Sequence, residues 1–495
     1  MSEIRATYSG LISLFVGFGT IIASTIFMVI VTRNLSTFDF GTWSLINNLL
    51  IYGLYLEPIV SFWIIRETAR NFASGKTAII VSSLFSLIGI SIYFIISFFV
   101  GNITDVNNEI VYFAIIIVPV SFLNKTLLGI ITGWRPHVAN YGLLVFGICQ
   151  IIFAFVFLII LDYNLEGLIL GMFISYAVTD IILSIYCREK LKVSFSKDAV
   201  IKWLKLPWIS LYPSSVAIIQ VLDILVFSII TGSVLGLSFW QASLVIASMV
   251  VSSGLLTYAI YPKLLQSNET NFVTNNLTYT FYFAIPITSI AIVFAKPGLF
   301  ILNPEYLIAF PIAVILSITM FFRTFGSIFS TYITGVEKVD VLRNSKFKNY
   351  LHSKLFFIPS LSLIHYLSYV PILAFTLFLF KDSVSLINLV LIWSIVALIT
   401  QIPWTIYFYF LAKKNLEFKL EVKNILKYLL ISTIVFGIIY LFIERSLNYS
   451  NDFFSFLSHV LLIFIISAFA YFLSSYILDS KIRQLTKSIL NEFKN

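Results

Sequence analysis

The sequence is dominated by apolar segments of about 20 residues that follow one another with little polar chain between them. The segment at 78–100, for example, contains no Asp, Glu, Lys or Arg. A helix needs about 20 mostly apolar residues to cross a bilayer, whereas a membrane β-strand has about 10 residues of alternating polarity. These runs are long and continuous, so the sequence predicts an all-α protein that crosses a membrane many times.

The composition excludes most soluble classes of protein. Hydrophobic residues make up 59% of the 495 residues and charged residues only 11%, against about 25% charged in average soluble domains. The net charge of +9 is explained by basic loops beside anionic lipid, so we expect no nucleic-acid partner. Cys149 and Cys187 lie in an apolar run and at a basic helix end, so no disulfide framework or metal cluster is predicted.

Charged residues, prolines, glycines and asparagine clusters divide the apolar sequence into fourteen predicted spans. The spans are 9–31, 43–65, 78–100, 110–133, 138–161, 164–186, 206–231, 239–260, 278–301, 306–335, 356–379, 384–411, 425–443 and 454–478. The first is too long for the apolar core of a signal peptide and lacks a small-residue cleavage site, so we expect it to be retained.

The positions of Lys and Arg predict the orientation. With a cytoplasmic N-terminus, the external segments hold three basic residues, which are Arg33, Lys381 and Arg445. Four others lie within or just inside spans, namely Lys125, Lys296, Arg323 and Lys427. All the rest fall in cytoplasmic segments, so both termini are predicted to be cytoplasmic. We expect a monomer in the plasma membrane of a prokaryote.

Two long basic loops, at 187–205 and 336–355, divide the spans into blocks. Residues 1–190 form a predicted N-terminal lobe of six spans, and residues 191–412 form a predicted C-terminal lobe of six more. Residues 413–495 add a helix pair and a cytoplasmic tail. Because each block has an even number of spans, the two lobes would share one topology and be pseudo-symmetric about an axis along the membrane normal.

The loops leave no room for a soluble catalytic domain. The external loops reach about 11 residues at most, and the chain has no P-loop, GxGxxG, HExxH or CxxC pattern. We therefore expect no catalytic residues, no cofactor and no metal. ATP-driven transport by this chain alone is also disfavoured, because no nucleotide-binding motif is present.

Ionisable residues inside spans are costly, and they usually face a cavity or one another. The predicted set is Glu57, Lys125, Asp180, Asp223, Lys296, Arg323, His365 and His459. Several have ordinary explanations. Lys296 can extend to the interface, Asp180 can pair with Arg188 or another basic group at the helix end, and Glu57 can form an ion pair with Lys125. Both histidines are expected to be packed or interfacial.

Arg323 is harder to explain structurally, because it lies near the middle of its span and does not deprotonate. Lys125 places a second cation in the other predicted lobe. Together they suggest an anionic substrate held from two sides. Glu57, Asp180 and Asp223 are candidates for carrying a coupling proton or Na⁺.

Four short motifs resemble those of the polysaccharide (Wzx-type) flippases of the multidrug/oligosaccharidyl-lipid/polysaccharide (MOP) exporter superfamily. They are Thr-Arg-Asn-Leu at 32–35, Phe-Gly-Thr-Trp at 40–43, Trp-Ile-Ile-Arg-Glu-Thr-Ala-Arg at 63–70 and Tyr-Ala-Ile-Tyr-Pro-Lys-Leu-Leu at 258–265. The layout of six, six and two spans extends the resemblance over the whole chain.

The resemblance implies two lobes around a central cationic cavity and transport by alternating access. The implied substrate is an oligosaccharide linked to a polyprenyl phosphate or pyrophosphate, moved from the cytoplasmic to the external leaflet. By position, Lys125 and Arg323 would meet the phosphate, with Arg66, Arg70 and Arg135 at the cytoplasmic mouth.

Two alternatives remain open. A multidrug or small-solute antiporter of the same superfamily typically has twelve spans, so the additional pair at 425–478 argues against it. An integral-membrane glycan polymerase or transferase would need a large external loop or a carboxylate pair, and the external carboxylates here are scattered single residues.

Overall fold

The computed structural model describes residues 3–72, 74–205, 207–257, 271–335, 350–416, 418–450 and 452–492. Within these ranges every regular element is a helix, so the predicted all-helical class is confirmed. The chain divides into two compact units. Unit 1 comprises Met1–Phe239 and Ser362–Leu386, and unit 2 comprises Trp240–Leu361 and Ile387–Asn495. The predicted lobe boundaries near 190 and 412 stay a prediction.

Unit 1 contains twelve helices among its described residues. They are α1 (Glu3–Asn34), α2 (Thr37–Gly53), α3 (Glu57–Ala69), α4 (Gly75–Gly101), α5 (Asn108–Phe113), α6 (Ile117–Trp134), α7 (Pro136–Ala154), α8 (Asn164–Tyr186), α9 (Arg188–Leu191), α10 (Lys197–Lys205), α11 (Trp208–Gln220) and α12 (Leu222–Thr231). A 3₁₀ turn at Ala114–Ile116 joins α5 to α6, and a π-helical turn at Phe155–Ile160 extends α7.

The remaining described helices belong to unit 2 or are divided between the units. They are α13 (Leu235–Ala247), α14 (Asn271–Val293), α15 (Ala295–Leu302), α16 (Phe310–Gly335), α17 (Lys354–Phe380), α18 (Leu386–Asn415), α19 (Val422–Ser446), α20 (Phe453–Leu478) and α21 (Ser480–Glu492). Two 3₁₀ segments, Ser248–Thr257 and Pro304–Ala309, follow α13 and α15.

The described residues supply twelve helical segments long and apolar enough to cross a membrane. The pair formed by α2 and α3 makes a thirteenth if it is one bent span. The shorter apolar helix Gly19–Asn34 coincides with much of the first predicted span. The multi-span prediction is therefore confirmed, and the count of fourteen stays a prediction.

The second predicted span is broken in its middle. Helices α2 and α3 meet at an angle of 62° across residues 54–56, and Pro58 occupies the first turn of α3, where its missing N–H costs nothing. On the other side of the break, α2 lies close to α4, since a Cβ atom on Gly89 would collide with the Gly53 carbonyl oxygen. The break leaves Glu57 at the first position of a half-helix.

The seventh predicted span is also interrupted. Helix α11 ends at Gln220, Val221 lies between the helices, and α12 starts at Leu222. Asp223 is therefore in the first turn of a second half-helix. The partial positive charge of a helix N-terminus favours a carboxylate at such a position. Discontinuous helices are a common device for placing ion and substrate sites within transporters.

Small polar side chains join the helices of unit 1 in its interior. Thr126 on α6 donates a hydrogen bond to the Ser82 hydroxyl on α4 (2.7 Å), and Ser82 donates to the Phe122 carbonyl (3.2 Å). Both side chains are buried. Small hydroxyl residues allow close helix approach in membranes, where apolar burial against lipid gives little net attraction. These bonds hold α6 against α4.

In unit 2, a buried tyrosine cluster attaches the last two spans to α14. The Tyr282 hydroxyl lies 2.8 Å from the Ser475 hydroxyl of α20. Tyr471 donates to the Tyr282 carbonyl (3.1 Å), and the ring of Tyr428 on α19 packs against Tyr282. The pair predicted at 425–478 is thus packed into unit 2.

The C-terminal helix α21 is fixed by two ion pairs at its start. Lys427 contacts Asp479 at 2.9 Å, and Lys481 forms an ion pair with Glu421. The hydrogen bond from Lys481 is the main reason that the pKa of Glu421 lies below its usual range. The two pairs connect the chain after α20 to the region where α19 begins.

Candidate functional site

Glu57 is a buried carboxyl group at the break between α2 and α3. Its side chain is 3% exposed, and Ser61 donates one long hydrogen bond (3.4 Å) to Oε2. Among the described residues Oε1 has no hydrogen-bond partner. Lys125 acts on Glu57 electrostatically, but no described atoms of the two approach within the 4.0 Å of an ion pair. The direct ion pair considered from the sequence is therefore not formed.

Lys125 is exposed although it lies on a central helix. The segment Asn108–Trp134 has the largest buried share of the twelve candidate spans, yet the Lys125 side chain is open to its surroundings. A lysine facing hydrocarbon in mid-span would be costly. This cost favours a water-accessible surface of α6 on which the ammonium group can meet an anion.

Asp180 is the second buried carboxyl group next to α6. Asn124, the neighbour of Lys125, donates a hydrogen bond of 2.8 Å to its Oδ1. Asp180 is 4% exposed, and its Oδ2 has no partner among the described residues. The expected alternative pairing with Arg188 is not present within ion-pair distance in the described structure. Glu57 and Asp180 thus each keep one buried oxygen available for a proton or cation.

Asp223 is bound from a helix that is distant in sequence. The Tyr369 hydroxyl of α17 donates to Asp223 Oδ2 at 3.0 Å, and the Ile224 amide lies 2.9 Å from Oδ1. The buried Tyr52 side chain at the end of α2 also interacts electrostatically with Asp223. Within the described residues, the Tyr52 hydroxyl has no hydrogen-bond partner. Asp223 therefore interacts with two phenol groups, Tyr369 by a hydrogen bond and Tyr52 electrostatically.

A cleft lies beside this group within unit 1. It has a volume of about 270 Å³ and is lined by Tyr52, Tyr55, Ser215 and the isoleucines Ile92, Ile96, Ile218 and Ile219. Tyr55 and Ser215 are in hydrogen-bond contact at 3.0 Å. The cleft therefore combines an apolar wall with a few hydroxyl groups.

The three arginines predicted at the cytoplasmic mouth of the cavity lie near the ends of α3 and α6. A Cβ atom on Gly133 would collide with the Ile65 carbonyl oxygen, so these helix ends are in close contact. Arg66, Arg70 and Arg135 are all exposed here. Arg66 lies over the Phe62 ring at 3.6 Å, and Arg135 donates to the Tyr186 hydroxyl at 3.1 Å. The structure thus assembles a cationic surface from residues far apart in sequence.

Sequence reasoning missed Glu67, a buried carboxylate at the same end of α3. It accepts hydrogen bonds from Ser74 (2.5 Å), Lys202 (3.2 Å) and the Trp203 indole (3.2 Å). Lys202 and Trp203 belong to α10, in the basic loop after α8. A tryptophan within that basic loop was the available signal that the loop packs against the helices.

Arg323 lies half-buried on α16 of unit 2. Thr405 on α18 donates to the Phe322 carbonyl (2.8 Å), and Gln401 donates to Thr405 (3.2 Å). These contacts fix the backbone on one side of Arg323, and Thr324 is buried on the other side. No carboxylate of the described residues lies within 4.0 Å of Arg323. The backbone that carries the guanidinium group is fixed, and no carboxylate of the described residues neutralises its charge.

The predicted site residues are therefore all described, but the motif at 258–265 lies outside the described residues. Lys125 lies on α6, Glu57 and Asp180 lie beside the same part of this helix, and Asp223 interacts with Tyr369 and Tyr52. Arg323 lies in the other unit from Lys125.

Comparison with known proteins gives a fold but no sequence family. No family model matches the chain, and no curated protein matches it. Among solved structures, it is similar to an inward-facing multidrug resistance MATE family transporter of the MOP superfamily, with a TM-score of 0.57 and 12% identity. The match covers 82% of this chain and 98% of that transporter.

Two further structures of this group are similar. One is a MOP superfamily transporter from Pyrococcus furiosus, for which a reversed polarity of the binding pocket suggests a different function (TM-score 0.52, 14% identity). That match covers 83% of this chain and 94% of the other. The second is an outward-facing MATE transporter (TM-score 0.51, 14% identity, 83% and 95% covered). Sequence identities of 12–14% together with these TM-scores show a shared fold, which is the MATE transporter fold. The similar structures are those of transporters, not of enzymes.

Proposed function

We propose that this protein is a flippase that moves a lipid-linked oligosaccharide from the cytoplasmic to the external leaflet by alternating access. The observation that supports it most is that two basic side chains within predicted spans, Lys125 and Arg323, are not paired with a carboxylate among the described residues. Lys125 is exposed on a central span, and Arg323 has no carboxylate partner among the described residues. Both are suited to a polyprenyl phosphate or pyrophosphate, since cations within spans usually mark substrate pathways.

The arginines at the ends of α3 and α6 fit the entrance for such a substrate. Arg66, Arg70 and Arg135 form an exposed cationic surface, and guanidinium groups bind phosphate oxygens in a bidentate manner. We place this surface on the cytoplasmic side, with both termini, because basic residues concentrate there. The protein would act as a monomer in a prokaryotic plasma membrane. The lipid tail would stay in the bilayer while the sugars cross.

The three carboxylates would couple transport to a proton or Na⁺ gradient. Glu57 and Asp223 each lie in the first turn of a half-helix, and Asp180 flanks α6 through Asn124. Burial raises the free energy of an unpaired carboxylate, and binding a cation relieves this cost. Uptake and release of the ion would then bias the helices toward different arrangements.

A multidrug or small-solute antiporter is the second candidate. The shared MATE fold and the buried carboxylates favour it, because a hydrophobic cation would pair with them. The length of this chain argues against the antiporter hypothesis. The similar transporter is matched over 98% of its own length but over 82% of this chain, so part of this protein has no counterpart there.

Binding selectivity separates the two candidates. We expect the purified protein to bind a polyprenyl diphosphate carrying one N-acetylhexosamine at least about tenfold more tightly than the uncharged polyprenol, since phosphate contacts contribute about 1.4 kcal/mol or more. Thermal unfolding with each probe, and with ethidium as a hydrophobic cation, measures this. Stabilisation by ethidium alone would support the antiporter and contradict the flippase.

A further inference from the structure

A hydrogen-bonded clasp joins two loops at one end of unit 1. The loop after α4 contributes Asp105, and the turn between α12 and α13 contributes Gly232, Ser233 and Val234. The Asp105 amide donates to the Gly232 carbonyl at 3.1 Å. Its carboxylate accepts from the Ser233 hydroxyl at 2.7 Å and from the Val234 amide at 3.1 Å. One residue thus holds three consecutive residues of the opposite turn.

The receiving turn is shaped for this contact. Gly232 has a φ of 67°, a left-handed conformation that favours glycine and ends α12. Ser233 also donates its amide to Thr231 and accepts from the Leu235 amide. These bonds present the Ser233 hydroxyl and the Val234 amide together, so that a single carboxylate can bind both.

Helix α2 packs against the same turn. A Cβ atom on Gly41 of α2 would collide with the Val234 carbonyl oxygen, and the Val234 side chain is fully buried. Any larger residue at Gly41 would force the two segments apart. The clasp therefore covers a sealed contact and is not an isolated surface bond.

The clasp lies opposite the arginine surface. Helix α4 begins where α3 ends and reaches the clasp at its other end, after Gly101. Helix α2, which starts at Thr37, also begins on the clasp side. The clasp is thus on the face that we assign to the exterior, and it joins segments of the two predicted six-span lobes.

We propose that the Asp105 clasp is an external gate, closed in this structure, and that Asp105 is the positioning residue that stabilises the inward-open state. The proposal rests on the proposed alternating access. Asp105 is exposed, and hydrogen bonds in contact with water are of modest strength. Such bonds can break once in every transport cycle while still favouring the closed arrangement.

Cysteine labelling tests the gate without any substrate. The reporter is Val234→Cys in a background that carries Cys149→Ala and Cys187→Ala. The measured quantity is the rate at which a membrane-impermeant maleimide labels this cysteine in intact cells. We expect slow labelling, and an increase of roughly tenfold when Asp105→Ala removes both carboxylate bonds. A labelling rate that is unchanged by Asp105→Ala would overturn the proposal. Asp105→Asn, which keeps an acceptor for the Val234 amide, should label at an intermediate rate.

A reversible disulfide tests whether the gate opens during transport. Asp105→Cys with Ser233→Cys should form a disulfide under oxidant, stop translocation of the polyprenyl diphosphate probe and release it again under reductant. The matched control is Asn102→Cys with Asn108→Cys, whose side chains meet within one loop at 3.3 Å, and which should leave translocation unchanged. Full translocation by the Asp105–Ser233 crosslinked protein would overturn the gate. If the uncrosslinked protein does not move the probe, the proposed function fails, and the labelling rates alone decide the gate.

Discussion

Replacing Arg323 with alanine is expected to reduce translocation of the polyprenyl diphosphate probe by about two orders of magnitude, which corresponds to ~2.7 kcal/mol. Arg323 lies mid-span on α16, and no carboxylate among the described residues neutralises it. The loss would therefore come from the substrate phosphate, since hydrogen bonds to charged groups contribute about 1.5–3 kcal/mol each. Rates in proteoliposomes of matched protein content measure the effect.

The fold should survive this substitution. Thr405 and Gln401 hold the α16 backbone beside Arg323 through the Phe322 carbonyl, so the helix position does not depend on the guanidinium group. Arg323→Lys keeps the charge but loses the bidentate geometry, and we expect an intermediate rate.

Lys296→Ala is the matched control for removing a cation outside the candidate spans, because Lys296 lies on α15, after the segment Val273–Val293. Lys296 lies 3.6 Å from Glu444, and both side chains are exposed, so its loss should leave the rate nearly unchanged. Equal rates for Arg323→Ala and the unmodified protein would remove Arg323 from the substrate pathway.

The second large effect is expected at Asp223. Asp223→Asn should abolish the stimulation of transport by a proton or Na⁺ gradient, because an amide neither titrates nor carries the charge that attracts a cation. The fold should again be preserved, since the amide oxygen can still accept from Tyr369. The measurement is the ratio of translocation rates with and without each gradient, which should fall to about one in the variant.

Tyr369→Phe is the matched control for Asp223→Asn. It removes the 3.0 Å hydrogen bond but leaves the carboxylate, so gradient stimulation should persist at a shifted ion concentration. Glu57→Gln and Asp180→Asn test the other two candidates in the same assay. Undiminished stimulation in Asp223→Asn would exclude this carboxylate from coupling.

The multi-span, all-helical class was predictable from the sequence, because a long apolar helix depends on local composition. A continuous apolar run such as 78–100 cannot fold in water or form a barrel strand, and it appears as α4. The break at 54–56 does not show in the hydropathy pattern, because it lies inside an apolar run, and Pro58 is its local mark in the sequence. The interruption at Val221 also lies inside an apolar run and does not show in the hydropathy pattern.

The site was only partly predictable for a similar reason. Intramembrane charges such as Glu57 and Asp180 are visible because they interrupt apolar runs. Their partners are ordinary polar residues far away in the chain. Tyr369 is 146 positions from Asp223, and Asn124 is 56 positions from Asp180. One sequence contains no signal for such pairings, and the same is true of the Asp105 clasp.

The central claim is that the protein translocates a glycan linked to a lipid phosphate, and translocation in proteoliposomes tests it most directly. The probe is a fluorescent polyprenyl diphosphate carrying one N-acetylhexosamine, and the accessible fraction is read with a membrane-impermeant quencher. We predict that reconstituted protein moves probe from the inaccessible to the accessible leaflet, faster with an ion gradient and not in protein-free vesicles. No movement of this probe, together with gradient-driven export of ethidium, would contradict the account and identify an antiporter.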